Sequence, residues 1–154
     1  MFTATPFRND GQKLNGKIIF KFSLKKAQEQ HYYERINNYQ IMRYSLEDAD
    51  RAIAEKAISI LRKDLENGYD HIVMARCKNI SRAKEVFEVY KKYSDYSPIL
   101  VYSGMKNSNG VLKEIKEKRH RIIVCVNMLG EGYDLPQLKI AAIHDEKQSL
   151  AVTL

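Results

Sequence analysis

The chain has 154 residues, 44% of them apolar and 29% charged, which suits one domain with a sizeable core and excludes a disordered protein. Its formal charge of +7 favours acidic partners, nucleic-acid phosphates foremost. No apolar run reaches the roughly 20 residues of a membrane span, the N-terminus lacks a signal-peptide pattern, and Cys77 and Cys125 lack metal-ligand spacing, so the reading is a reduced cytoplasmic protein with no metal site and no membrane partner.

The charge is uneven. Residues 71–120 carry 11 basic and 5 acidic side chains, whereas residues 121–154 carry 3 and 4. A basic middle suits a surface facing phosphates. Lys91, Lys92, Lys113, Lys116 and Lys118 are nonetheless read as solubilising lysines on helix faces.

In chain order, Asn9-Asp10-Gly11 is a turn signal, and the alternation of Ile18, Phe20 and Phe22 predicts a strand. Leu24–Tyr39 predicts a helix with a ragged apolar face. Tyr32, Tyr33, Tyr39 and Tyr44 are of a kind that stacks on bases, but the expectation here is packing on the domain with hydroxyls in water. Ser45–Asn67 predicts a long helix. Ser45 and Asp48 form a capping-box pattern, Ala49, Ile53, Ala57, Ile60, Leu61 and Leu65 recur at helical spacing, and Gly68 supplies the stop.

A β-α-β-α-β series follows, which predicts an α/β fold with a parallel sheet covered by helices on both faces. Its first strand is Ile72–Ala75 and its first loop Arg76–Asn79. Ser81 is expected to cap a helix whose Ala83, Val86, Phe87 and Tyr90 share one face. Pro98–Tyr102 is a strand ending in Ser103-Gly104, Ser108–Lys118 a charged helix, and Arg121–Val126 and Lys139–Ile143 further strands. His144-Asp145-Glu146 is read as a strand-end turn, because a metal site would need further ligands at proper spacing. Gln148–Leu154 reads as the start of a helix.

The stretch Val124–Pro136, V-C-V-N-M-L-G-E-G-Y-D-L-P, holds two glycines and the acids Glu131 and Asp134 just beyond a strand. Ligands of parallel sheets sit at such carboxyl ends, glycine lets backbone approach a phosphate, and an acid can accept a ribose hydroxyl. By spacing alone, an ordinary strand-to-loop turn and a ligand-binding edge both fit.

Asn127–Pro136 resembles motif V of superfamily 2 helicases, in the version of the excision-repair helicase and of restriction-enzyme motor subunits. Thr3-Ala4-Thr5-Pro6 is similar to motif III, which links the two RecA-like motor domains of that superfamily. The resemblance covers nearly the whole chain. It implies motif III with a linker over residues 1–17, and over 18–154 a second RecA-like domain that stops before motif VI, as a piece of a longer protein.

The resemblance further implies residue roles. Glu131, Gly132 and Asp134 would meet nucleotide, with Asp134 reaching the ribose of ATP. Thr3, Ala4 and Thr5 would couple hydrolysis to strand movement. Arg76 and Lys78 (resembling motif IV), Ser103, Gly104 and Asn127 would contact the nucleic-acid backbone. Val126-Asn127 stands where many relatives place Thr-Asp, which favours DNA over RNA. The remaining partner would be the first RecA-like domain.

Hydrolysis of ATP with Mg²⁺ needs a phosphate cradle, a metal-holding acid and an arginine finger. The sequence contains no G-x-x-x-x-G-K-[ST], no D-E-x-[HD] and no Q-x-x-G-R-x-x-R. The expected function is therefore part of an ATP-dependent helicase or translocase, a hydrolase as a whole protein, with no catalytic residue and no activity in these residues alone. The alternative is a non-catalytic RecA-like module that binds nucleic acid or protein. A G-x-G-x-x-G dinucleotide enzyme is disfavoured, since that motif follows no strand.

Overall fold

The computed structural model describes residues 20, 22–32, 36–105, 108–126 and 135–145. Residues 41–146 form one compact unit, and residues 1–40 together with 147–154 form another.

In the first unit, α1 spans only Leu24–Glu29, with Ser23 Oγ accepting the Lys26 amide at 3.2 Å. The helix expected to run to Tyr39 ends here, and His31 follows with φ 58°. Its sequence offers no continuous apolar stripe, and a short helix without a packed face is marginal in water. Phe20 and Phe22 stack with centroids 6.4 Å apart but lie outside any strand; Ile18 and Ile19 are outside the described residues. Tyr32 and Tyr39 of this unit are 77% and 53% exposed, with the Tyr32 ring edge-on to Phe22, and Tyr44 of the other unit is 111% exposed; Tyr33 is outside the described residues.

The second unit opens with α2, Leu46–Glu66. Ser45 Oγ accepts the Asp48 amide at 3.1 Å and donates to Asp48 Oδ2 at 2.7 Å, so the capping pair closes through the two side chains. At the other end Gly68 adopts φ 79°. Its amide bonds Leu65 O at 3.0 Å and that of Tyr69 bonds Asp64 O at 2.9 Å, the double closure of a Schellman stop.

Four strands follow: β1 Ile72–Arg76, β2 Ile99–Tyr102, β3 Ile122–Val126 and β4 Leu138–Ile143. They form a sheet of order β2-β3-β1-β4, every neighbouring pair parallel. A register shift between Ile72 and Val73 leaves Lys139 as the extra residue of β4. Two further helices intervene, α3 Ile80–Lys91 and α4 Ser108–Lys116. The cap of α3 is Asn79, whose Oδ1 accepts the Arg82 amide at 2.9 Å, and not Ser81, which lies inside the helix.

Alternate residues of each strand feed two cores. Val73, Ala75, Ile122, Val124, Ile140 and Ala142 pack with Ala54, Ala57, Ile58 and Leu61 of α2 and Ala83, Val86 and Tyr90 of α3. On the opposite face Ile72, Val101, Ile123 and Cys125 meet Ile115 of α4. Ile122, Ile123 and Val124 have no exposure at all, which is why β3 is a continuous β-branched run without polar alternation. Each such side chain contributes about 1.5–3 kcal/mol over its exposed state.

Candidate nucleic-acid and nucleotide interface

Because the strands run parallel, their carboxyl ends share one rim. That rim gathers Arg76 at the end of β1 with Cys77 and Lys78 after it, Ser103 and Gly104 after β2, Val126 at the end of β3, and His144 and Asp145 after β4. Backbone bonds stitch it together: the His144 amide donates to Arg76 O and the Cys77 amide to Cys125 O, each at 3.0 Å.

Of the residues expected to contact nucleic acid, Arg76, Lys78, Ser103 and Gly104 thus lie on this rim. Lys78 reaches outward, its side chain 58% exposed. Arg76 is half-buried, and Ser103 and Gly104 form an exposed turn in which Gly104 has φ 85°. Asn127, Glu131, Gly132 and Asp134, and likewise Thr3, Ala4 and Thr5, lie outside the described residues.

Beneath the rim is a buried polar group that sequence reading missed. Asp50 of α2, Arg82 of α3 and His144 are 4%, 7% and 5% exposed. The Arg82 guanidinium donates to both Asp50 carboxylate oxygens at 2.9 Å, to Asp145 Oδ1 through Nε at 3.2 Å, and to Glu85 at 2.8 Å. Burial lowers the Arg82 pKa, but its bonds to Glu85, Asp50 and Asp145 outweigh this and hold it above the ordinary arginine value. Asp145 also accepts the Lys78 amide through Oδ2 at 3.0 Å, and its Oδ1 lies 4.0 Å from the Lys78 ammonium.

His144 sits between Asp50 Oδ1, 2.8 Å from Nδ1, and the Tyr90 hydroxyl, 3.1 Å from Nε2. Burial is the largest influence and depresses its pKa below the usual histidine value, against the pull of Asp50. Burial likewise raises Tyr90. A neutral imidazole and a protonated phenol assign the bonds: Nδ1–H donates to Asp50 and the Tyr90 O–H donates to Nε2. His144 and Asp145 do end a strand, as expected, yet they face inward as working members of this group.

The signal for it existed. Asp50, Ala54, Ala57 and Leu61 fall on one stripe of α2, and Arg82, Val86 and Tyr90 on one stripe of α3. An acid and a base of opposite charge, each at a core position of a neighbouring helix, point to a buried pair.

Burial pushes the Cys77 thiol up to about 12 and that of Cys125 to about 11, so both are inert thiols rather than nucleophiles. The lysines read as solubilising are largely spoken for: Lys91 pairs with Glu88, Lys92 with Glu55, Lys113 with Glu117 and Lys118 with Asp70. No described helix is long and apolar enough to cross a membrane.

No curated protein matches the chain. A family model, the helicase conserved C-terminal domain, matches residues 52–153 and so takes in the whole sheet and its rim. The α/β architecture, a parallel sheet with helices on both faces, is that of the RecA-like lobe of such proteins. This chain belongs to the helicase conserved C-terminal domain family, of the superfamily 2 type.

Proposed function

We propose that the chain serves as the second motor lobe of an ATP-hydrolysing helicase or translocase acting on nucleic acid, DNA in preference to RNA. The observation that carries this reading is the shared rim, which gathers Arg76, Lys78, Ser103 and Gly104 with Val126, the residue that precedes the glycine-bearing acidic sequence Asn127–Pro136. Rim cations fix a nucleic-acid backbone by contacts to phosphate. Asn127 would join them. Glu131, Gly132 and Asp134 would close on the nucleotide from one side, and Thr3, Ala4 and Thr5 would transmit its state. The wording of Asn127–Pro136 supports a motor of the restriction-enzyme or excision-repair kind.

Among the described residues no group of three His, Cys, Asp or Glu side chains is placed to hold a metal ion. The Mg²⁺ that accompanies ATP would be held with the phosphate cradle by the first RecA-like domain, as the absence of G-x-x-x-x-G-K-[ST] and D-E-x-[HD] from the sequence suggests. Loss of an arginine finger alone costs about a thousandfold or more in rate. The 154-residue chain, incubated with ATP, Mg²⁺ and DNA, is expected to release no phosphate above a buffer control. DNA-stimulated release by this chain alone would overturn the division of labour proposed here. Placed in one polypeptide with a cradle-bearing lobe and a segment that supplies the arginine finger, it should support hydrolysis that Asp134→Ala suppresses.

A further inference from the structure

We propose that Asp145, held by Arg82, is a positioning residue for the β1–α3 loop, fixing the backbone on which Lys78 is presented to nucleic acid. The proposal rests on the reading of the rim given above and adds how the rim is kept in shape.

The geometry is a cross-brace. One carboxylate oxygen of Asp145 takes the Lys78 amide at 3.0 Å, and the other takes Arg82 Nε at 3.2 Å. Arg82 is anchored by two bonds to Asp50, and its own amide is capped by Asn79 at 2.9 Å. The loop between β1 and α3 is therefore closed at both ends, at Lys78 by the acid two residues beyond β4 and at Arg82 by the loop's own asparagine. The Asp145 side chain is 7% exposed, whereas the Lys78 side chain whose backbone it holds is 58% exposed. A buried carboxylate thus holds the root of a largely exposed side chain whose ammonium lies 4.0 Å from the same carboxylate.

Stability alone is a poor reason for such a device. A buried ion pair gains little over well-packed apolar residues of similar volume, because desolvation offsets the Coulomb attraction. What it supplies instead is direction. Arg82 presents a planar fork whose donors point at fixed angles, and a carboxylate gripped by that fork has one orientation. A loop ordered before its ligand arrives avoids the ordering cost on binding. With its amide occupied, Lys78 has only its ammonium to offer a phosphate.

The test uses the whole chain, a fluorescein-labelled oligonucleotide of single-stranded DNA, and anisotropy titrations over a series of salt concentrations. Asp145→Asn should weaken binding about tenfold, the scale of one charge-assisted hydrogen bond, while leaving the salt slope unchanged because no phosphate-facing cation is lost. Lys78→Ala should lower the slope by about 0.7, the value for one phosphate contact on a single strand. Hydrogen exchange should find the Lys78 amide slow in the wild type and fast in Asp145→Asn, at matched far-UV circular dichroism. Should Asp145→Asn fail to fold, Arg82→Lys supplies the same comparison, since it keeps the charge and loses the fork. Asp145→Glu should restore part of the affinity.

Wild-type affinity in a folded Asp145→Asn protein overturns the positioning role and leaves the rim reading intact, provided Lys78→Ala still changes the slope. A fast-exchanging Lys78 amide in the wild type overturns the brace itself. Salt-independent binding, or none, by the wild-type chain overturns both the brace's role and the rim reading.

Discussion

At the scale of single residues, the Asp50, Arg82 and His144 group decides what substitution costs. Removing Asp50 leaves the Arg82 guanidinium buried with fewer acceptors, and breaking a buried pair from one side costs about 3–5 kcal/mol. Urea denaturation of Asp50→Ala should show a loss of this order with an unchanged slope. The double variant Asp50→Leu with Arg82→Met should lose less than the single one, because it strands no charge. His144 carries the acid sensitivity. The folded chain holds it below its ordinary pKa, so the unfolded chain takes up the proton more readily. This contribution to stability is complete above the ordinary histidine pKa of about 6.5 and is lost as the pH falls below it. Melting curves between neutral pH and pH 5 should show the decline, and His144→Gln should flatten it. Losses in more acid solution belong to Asp48 and Asp70, whose pKa values are lowered chiefly by their bonds to Ser45 and Lys118 respectively.

At the scale of elements, stops and caps set the boundaries. Gly68 has φ 79° with open space around it, so Gly68→Ala meets no clash and suffers only the left-handed backbone, about 1–2 kcal/mol in thermal unfolding. Asn79→Ala removes the α3 cap, and about 1 kcal/mol with it, while Ser81→Ala should be nearly silent. Much of this level was legible in the sequence. The strands around Val73, Val101, Val124 and Ile140 announce themselves as β-branched runs, and α2 by its cap, stripe and glycine. The end of α1 was not legible, because Lys, Gln and Glu favour helix whether or not anything packs against them. Asp50 and Arg82 were passed over because a lone charge on an apolar stripe reads as an interruption until its partner, on another helix, is known. Asn79 lost to Ser81 because both residues cap well and only backbone geometry separates them.

For the whole molecule, the formal charge of +7 and the rim cations together predict binding to nucleic acid that weakens with salt. For single strands the logarithm of affinity should fall with that of salt by about 0.7 per phosphate neutralised. An anisotropy titration that shows no dependence on salt would count against backbone contact. A second consequence concerns the order in which the polypeptide is made. Central β1 pairs through Val73 with Ile122 on one flank and with Ile140 on the other, both far later in the chain. A ribosome therefore delivers β1 long before either neighbour exists, and its unpaired backbone edges must wait in the open. A chain that ends after Val126 leaves the edge that meets Leu138–Ile143 bare, a row of unpaired backbone groups open to pairing with another chain.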